Sequence, residues 1–239
     1  MKADAIIFDK DGTLIDFDAF WISISEKAIG ALLKELHRED IPMEEILFAL
    51  GVRDGETDVD SVLCKGTYEQ MGEIVHAVLV RHGCEIGRED AIRMVLDLYT
   101  ANMGEGTVKP TCPRLADALK ALKAQGKRLA VVTTDNDVMT RRCLQELGIE
   151  ELFERIYADD GKTPMKPDPY CAEDFCRRLG ISEERLLMVG DTMTDVHFAR
   201  NAGISVVGVA KRAAHREFLA PHVDHLVAEI AELPALLEK

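Results

Sequence analysis

A short apolar run that ends in two carboxylates constrains the fold of this chain more than any other stretch. Ile6, Ile7 and Phe8 are consecutive apolar residues, and Asp9 and Asp11 follow them closely. A continuous apolar run of this kind is typical of a strand that is covered on both faces in a parallel sheet. The sequence therefore predicts a buried strand with charged side chains capable of reaction at its carboxyl end.

The spacing of the two aspartates predicts that their carboxylates lie on one side of the chain. In extended backbone, side chains two residues apart point the same way. Crowded carboxylates repel each other, so either one takes a proton or a cation binds between them. A cation such as Mg2+ prefers oxygen ligands, and a carboxylate relieved of this repulsion can attack phosphorus. The alternative is a plain polar turn, in which Asp and Gly are common.

Composition and charge exclude several classes of function. The 239 residues are 47% hydrophobic and 30% charged, which is typical of a globular protein with a substantial core. A formal net charge of -14 argues against attachment to nucleic acid or anionic membranes. The sequence suggests no signal peptide or membrane span, and the six cysteines lack zinc or Cys-x-x-Cys spacing. We therefore expect a cytoplasmic protein with reduced thiols and no nucleic-acid or membrane partner.

The hydrophobic periodicity predicts two regions of different character. Helical patterns dominate residues 16–104, whereas helices and strands alternate from Cys112 onward. Such alternation implies right-handed crossovers and a mainly parallel sheet. We therefore predict an α/β core at residues 1–15 and 105–239, interrupted by an all-helical insert.

An acidic, glycine-punctuated stretch in the insert, residues 51–60, is expected to be a loop. A solvated connector is one interpretation. The other is a loop that faces a substrate, with Arg53 or Lys65 meeting an anion.

Polar residues also follow later apolar runs of the core. Thr133 ends one such run, Asp191 follows another, and Lys166 lies in a loop with two prolines. Ligands of open parallel sheets bind beyond the carboxyl ends of the strands. We therefore expect the sheet to gather Asp9, Thr133 and Asp191.

These residues resemble the four motifs of the haloacid dehalogenase superfamily. Asp9 to Thr13 resembles the first motif, Asp-x-Asp-Gly-Thr; Thr133 resembles the second, Lys166-Pro167 the third and Gly190-Asp191-x-x-x-Asp195 the fourth. The resemblance implies a Rossmann-like core, dependence on Mg2+ and a helical C1-type cap that closes over the substrate. It places the chain near phosphoglycolate phosphatase-like members.

The resemblance also implies a role for each catalytic side chain. Asp9 would be the nucleophile that forms an aspartyl-phosphate, and Asp11 the general acid and base. Lys166 would supply a fixed positive charge, and Thr133 a hydrogen bond to the phosphoryl group. Thr134 stands where the family often has Asn, so it is expected to contact phosphate differently.

A metal site is implied by the same motifs. Asp9, Asp11 through a backbone carbonyl, and Asp191 would hold Mg2+, with Asp195 supporting these ligands from behind. Phe198 is bulkier than the usual Ala of the helix that follows, which is expected to affect packing beneath the metal loop.

The sequence thus predicts a Mg2+-dependent phosphatase acting on a small phosphorylated metabolite, phosphoglycolate-like or a sugar phosphate. The second aspartate of the first motif argues against dehalogenases, which lack it, and disfavours phosphonatases. A phosphosugar mutase of the β-phosphoglucomutase type and a non-catalytic phosphate-binding module are the alternatives. The expected oligomeric state is a monomer or a homodimer.

Overall fold

The computed structural model describes residues 2–58 and 61–237 of the chain. Its first strand is followed by a mostly helical segment and then by alternating strands and helices. The strands are β1 Ala5–Phe8, β2 Val52–Arg53, β3 Glu56–Thr57, β4 Arg128–Asn136, β5 Arg155–Asp159, β6 Leu186–Gly190, β7 Ser205–Val209 and β8 His225–Val227. The α-helices are α1 Phe17–Glu35, α2 Met43–Leu50, α3 Val62–Lys65, α4 Tyr68–Arg81, α5 Arg88–Asn102, α6 Leu115–Ala124, α7 Asp137–Glu146, α8 Tyr170–Leu179, α9 Met193–Asn201, α10 Ala213–Leu219 and α11 Leu233–Leu237.

A six-stranded sheet with the order β5-β4-β1-β6-β7-β8 forms the core. Each neighbouring pair in it is parallel. The central strand, β1, is fully buried along its length, as a strand covered on both faces should be. The predicted mainly parallel α/β sheet is therefore confirmed. Phe198 lies fully buried in a large apolar cluster of this core, together with Ile7, Met188 and Phe175.

The chain divides into two compact units. One contains the residues up to Asp16 and those from Val108 onward, and the other is Phe17–Thr107. One face of α1 is buried at Phe20, Ile24, Ala28 and Leu32. The helical periodicity of this region corresponds to α1, α2, α4 and α5.

The second unit departs from the sequence prediction in its acidic stretch. Within the predicted loop, β2 and β3 pair as a short antiparallel hairpin. Asp54 and Gly55 occupy its turn with φ of 52° and 78°, the left-handed conformation that tight hairpin turns require. Strands of two residues are too short to show the alternation of polar and apolar residues that would predict them. The described part of the insert is therefore mostly helical, with a hairpin that the sequence did not reveal. Val59 and Asp60, also in the predicted loop, lie outside the described residues.

None of the helices within the described ranges combines the length and apolarity that crossing a bilayer requires. All six cysteines are free thiols, as expected. Four of them are buried, where a thiol packs as a small apolar side chain.

Candidate active site

The register of three adjacent strands brings the predicted site residues to one edge of the sheet. β1 pairs in register with residues up to Val131 on β4 and Val189 on β6. Asp9 directly follows β1, while Thr133 and Asp191 lie two residues beyond those paired positions. Their strands run in parallel, so the three side chains leave the sheet at the same end.

Lys166 reaches this edge from the loop before α8. Its Nζ donates to Asp9 Oδ1 and, over 2.6 Å, to Asp195 Oδ1. All three side chains are buried. Ionised groups at such depth persist only when they are paired. The structure thus joins the lysine of the third motif to carboxylates of the first and fourth.

Asp195 is held on both of its oxygens. Oδ1 accepts from Lys166, while Oδ2 accepts from the backbone N–H of Thr192 at 3.0 Å and from its hydroxyl at 2.8 Å. A Cβ on Gly190 would lie only 2.3 Å from Asp195 Cγ, so the close approach of the carboxylate to β6 depends on this glycine. Asp195 therefore fixes the ammonium group of Lys166 in place.

Three carboxylates form a crowded cluster at this edge. Oxygens of Asp9, Asp191 and Asp195 lie within 4.8 Å of one another. Burial raises the pKa of Asp9, although Lys166 opposes this effect, and burial together with the neighbouring Asp9 raises the pKa of Asp191. A cluster of three buried carboxylates is stable only when it binds protons or a cation. A set of ligands made up of oxygens alone fits a hard divalent cation. Within residues 2–58 and 61–237, the Asp11 side chain is not part of this cluster.

The glycine and threonine of the first motif hold Asp191. Thr13 donates from its buried hydroxyl to Asp191 Oδ1 over 2.8 Å. Gly12 has a φ of 79°, and a Cβ there would lie 2.1 Å from Asp191 Oδ2. Only glycine satisfies both the left-handed backbone and this contact. Thr13 was not predicted as a site residue, although it belongs to the Asp-x-Asp-Gly-Thr motif.

Asp11 is paired with its neighbour. Lys10 Nζ lies 2.6 Å from Asp11 Oδ1 and 3.1 Å from Asp135 Oδ2, and the Lys10 side chain is fully buried. Burial disfavours the lysine charge, but Asp11 and Asp135 outweigh it and raise the pKa of Lys10. Burial also raises the pKa of Asp11, with Lys10 acting in the opposite direction. Sequence reasoning missed Lys10 and Asp135; the available signal was a lysine at the end of a buried strand.

Thr133 and Thr134, near the carboxyl end of β4, differ in environment. Thr133 is buried, and its Oγ1 accepts from the backbone N–H of Asp135 at 3.2 Å. A hydroxyl that accepts one hydrogen bond still has its own proton to donate, which suits a contact with a phosphoryl oxygen. Thr134 is exposed.

Arg53 and Lys65, the candidate anion contacts of the insert, belong to the second unit. The Arg53 guanidinium lies 4.5 Å from the centroid of the Phe48 ring and 3.4 Å from Asp58 Oδ2. Lys65 ends the short helix α3. A role for either side chain in binding a substrate stays a prediction.

Comparison with known proteins identifies the family. The sequence model of a family described as haloacid dehalogenase-like hydrolase matches residues 3–203. The chain belongs to the haloacid dehalogenase-like hydrolases. The family resemblance of the four motifs and the prediction of a hydrolytic enzyme are thereby confirmed.

Relatives among the haloacid dehalogenase-like hydrolases align with most of the chain. A phosphoglycolate phosphatase of Mesorhizobium japonicum is 29% identical over 239 residues, which cover 97% of this chain and 96% of that protein. A phosphoglycolate phosphatase of Psychrobacter arcticus is 27% identical over 210 residues, covering 88% and 84%. The crystal structure of a predicted phosphoglycolate phosphatase from Haemophilus somnus has a TM-score of 0.69 at 23% identity, covering 99% and 98%. This similarity confirms the Rossmann-like fold of the haloacid dehalogenase-like core.

Proposed function

We propose that the chain is a Mg2+-dependent phosphatase that hydrolyses a small phosphorylated metabolite through an aspartyl-phosphate on Asp9. The observation that carries the proposal is the cluster at the end of β1, where Lys166 pairs with Asp9 and Asp195 beside Asp191. Phosphoglycolate is the leading substrate because two relatives, at 27% and 29% identity, are phosphoglycolate phosphatases.

In the proposed reaction, the Asp9 carboxylate attacks phosphorus and the bond to the leaving oxygen breaks. Asp11 gives its proton to that oxygen. It later takes a proton from the water that attacks the aspartyl-phosphate, as the bond between phosphorus and the Asp9 oxygen breaks and phosphate is released. Lys166 places a positive charge beside the nucleophile. Thr133 donates to a phosphoryl oxygen, and the exposed Thr134 contacts the phosphoryl group from the same strand end.

The metal would be held by Asp9, Asp191 and the backbone carbonyl of Asp11. When bound, Mg2+ would neutralise charge on the phosphoryl oxygens. The all-oxygen donor set and the raised pKa values of two of its carboxyl groups fit such a cation. Asp195 supports the site through Lys166 and Thr192.

The two compact units suggest separate roles in substrate selection and catalysis. We propose that Phe17–Thr107 is the C1-type cap that selects the substrate, and that the other unit is the catalytic core. The six free thiols support the proposal of a cytoplasmic location. A monomer or a homodimer remains the expected oligomeric state.

The test is phosphate release from a panel of phosphorylated metabolites, with and without Mg2+. The proposal predicts release from phosphoglycolate or a related small phosphate only when Mg2+ is present. Interconversion of hexose phosphates without net release would favour the mutase alternative. Tight phosphate binding with no turnover of any member would favour the binding module.

A further inference from the structure

The buried lysine between the two aspartates of the first motif has no part in the reaction proposed above. Lys10 is 0% exposed, yet its ammonium group lies between two carboxylates that belong to different strand ends. A charge buried this completely is costly unless it is paired and hydrogen-bonded. The pairing therefore fixes the geometry of all three groups.

A chain of contacts connects the Asp11 carboxylate to the backbone of β4. The backbone N–H of Asn136 donates to Asp135 Oδ1 over 2.8 Å. The other oxygen of Asp135, Oδ2, lies 3.1 Å from Lys10 Nζ, which donates to Asp11 Oδ1 over 2.6 Å. Asp135 is thus held on both of its oxygens, and Asp11 is held on Oδ1.

We propose that Lys10 is a positioning residue that holds Asp11 Oδ1, so that Asp11 Oδ2 carries the proton exchanged with the substrate and with water. The inference rests on the proposed phosphatase function, in which Asp11 is the general acid and base. As the phosphorus–oxygen bond breaks, the electron pair goes to the leaving oxygen and the proton moves there from Oδ2. The same oxygen takes a proton back when water attacks the aspartyl-phosphate.

This role has a signature that general damage to the fold lacks. Proton donation matters for a poor leaving group such as an alkoxide, and little for p-nitrophenolate, which leaves readily as an anion. Since kcat/KM reports the steps up to departure of the leaving group, a misplaced acid lowers it selectively for alkyl phosphates. Hydrolysis of the aspartyl-phosphate is common to both substrates, so kcat falls for both.

The decisive experiment compares Lys10→Met with the wild-type enzyme on the best alkyl phosphate of the panel and on p-nitrophenyl phosphate. We expect kcat/KM to fall about 10- to 100-fold for the alkyl phosphate and less than about threefold for the aryl phosphate. A burst of p-nitrophenolate, stoichiometric with enzyme, should precede the slowed steady state. In an Asp11→Asn background, Lys10→Met should leave the ratio of the two kcat/KM values unchanged, because its effect passes through Asp11.

One control variant and one substitute variant separate an effect on the position of Asp11 from an effect on the stability of the fold. Asp174→Asn disrupts a different buried carboxylate, one that pairs with Arg178 and Tyr157, and should leave the ratio of the two kcat/KM values at the wild-type level. Lys10→Met/Asp135→Asn removes the repulsion that the single variant leaves between two carboxylates, and it replaces that variant if Lys10→Met does not fold. Equal losses of kcat/KM on both substrates would overturn the role of Lys10 while leaving the phosphatase assignment intact. Failure of the wild-type enzyme to release phosphate from any substrate would instead overturn the proposed function.

Discussion

Thr13 donates a hydrogen bond of 2.8 Å from Oγ1 to Asp191 Oδ1, joining residues 178 positions apart in the sequence. The bond links the loop after β1 to the end of β6. A neutral hydroxyl that holds a metal-binding carboxylate sets its orientation without changing the charge of the site. The contact therefore predicts a measurable effect on the proposed Mg2+ site.

Thr13→Val is expected to raise the Mg2+ concentration needed for half-maximal activity by about 10-fold, because Asp191 loses its fixed donor. Thr13→Ser keeps the hydroxyl and should stay within about threefold of the wild type. The measurement is a Mg2+ titration of phosphate release for the three proteins. Identical midpoints for the valine and serine variants would show that this hydrogen bond does not orient the ligand.

Asp191→Asn should have a larger effect on the same titration, since it removes a charged oxygen from the proposed Mg2+ site while conserving volume. We expect the Mg2+ midpoint to rise by about 100-fold or more. An unchanged midpoint would remove Asp191 from the metal site. Circular dichroism of the variant checks that the fold is retained.

Gly12→Ala tests the close packing of the loop on Asp191. The new Cβ would meet Asp191 Oδ2 at 2.1 Å in a backbone with φ of 79°. We expect at least about a 100-fold loss of kcat/KM, because the carboxylate must move. Gly126→Ala is a matched control: its φ is 82° but no atom lies within 4 Å of the new Cβ, so it should cost about 1 to 2 kcal/mol of stability without loss of activity. Similar activity in the two variants would contradict the packing argument.

Much of the site follows from the sequence because two of its carboxylates follow locally recognisable strands. Asp9 and Asp191 each come directly after a strand, and a parallel sheet brings strand ends together whatever the sequence distance. The partnership of Lys10 with Asp135 is different. It depends on how the end of β4 lies against the end of β1, and local periodicity says nothing about that arrangement.

The hairpin of the second unit was missed for a related reason. Two-residue strands offer no alternation, and the left-handed turn at Asp54 and Gly55 looks like any glycine-containing loop. Asp195 combines a contact within its own helix start with the supporting role that the fourth motif implies. It packs at the start of α9 and contacts Thr192, as an ordinary residue of a helix start does, but it also holds the ammonium group of Lys166.

Asp174 should make stability depend on acid pH. Burial disfavours its ionisation, but hydrogen bonds from Arg178 and Tyr157 hold the pKa of Asp174 below its ordinary value. A carboxylate whose pKa is lowered in the folded state stabilises the fold above its unfolded pKa of about 3.9, and that contribution is lost as the pH falls through the folded value. Asp174→Asn is therefore expected to cost about 1 to 3 kcal/mol at neutral pH.

The penalty of Asp174→Asn should shrink below about pH 4, where the wild-type carboxylate also loses its charge. Urea unfolding of both proteins across this pH range measures it. Glu173→Gln, at an exposed position of the same helix, should change stability by less than about 0.5 kcal/mol throughout. A penalty for Asp174→Asn that is constant with pH would mean that the ion pairs contribute nothing.

Covalent capture of the phosphoryl group tests the central claim most directly. The enzyme is mixed with p-nitrophenyl phosphate and Mg2+, quenched in acid within milliseconds, digested, and its peptides are weighed by mass spectrometry. We predict a phosphoryl adduct on Asp9 that disappears on the timescale of turnover, and neither adduct nor turnover in a folded Asp9→Asn variant. An adduct on a different residue, or full activity in Asp9→Asn, would contradict it.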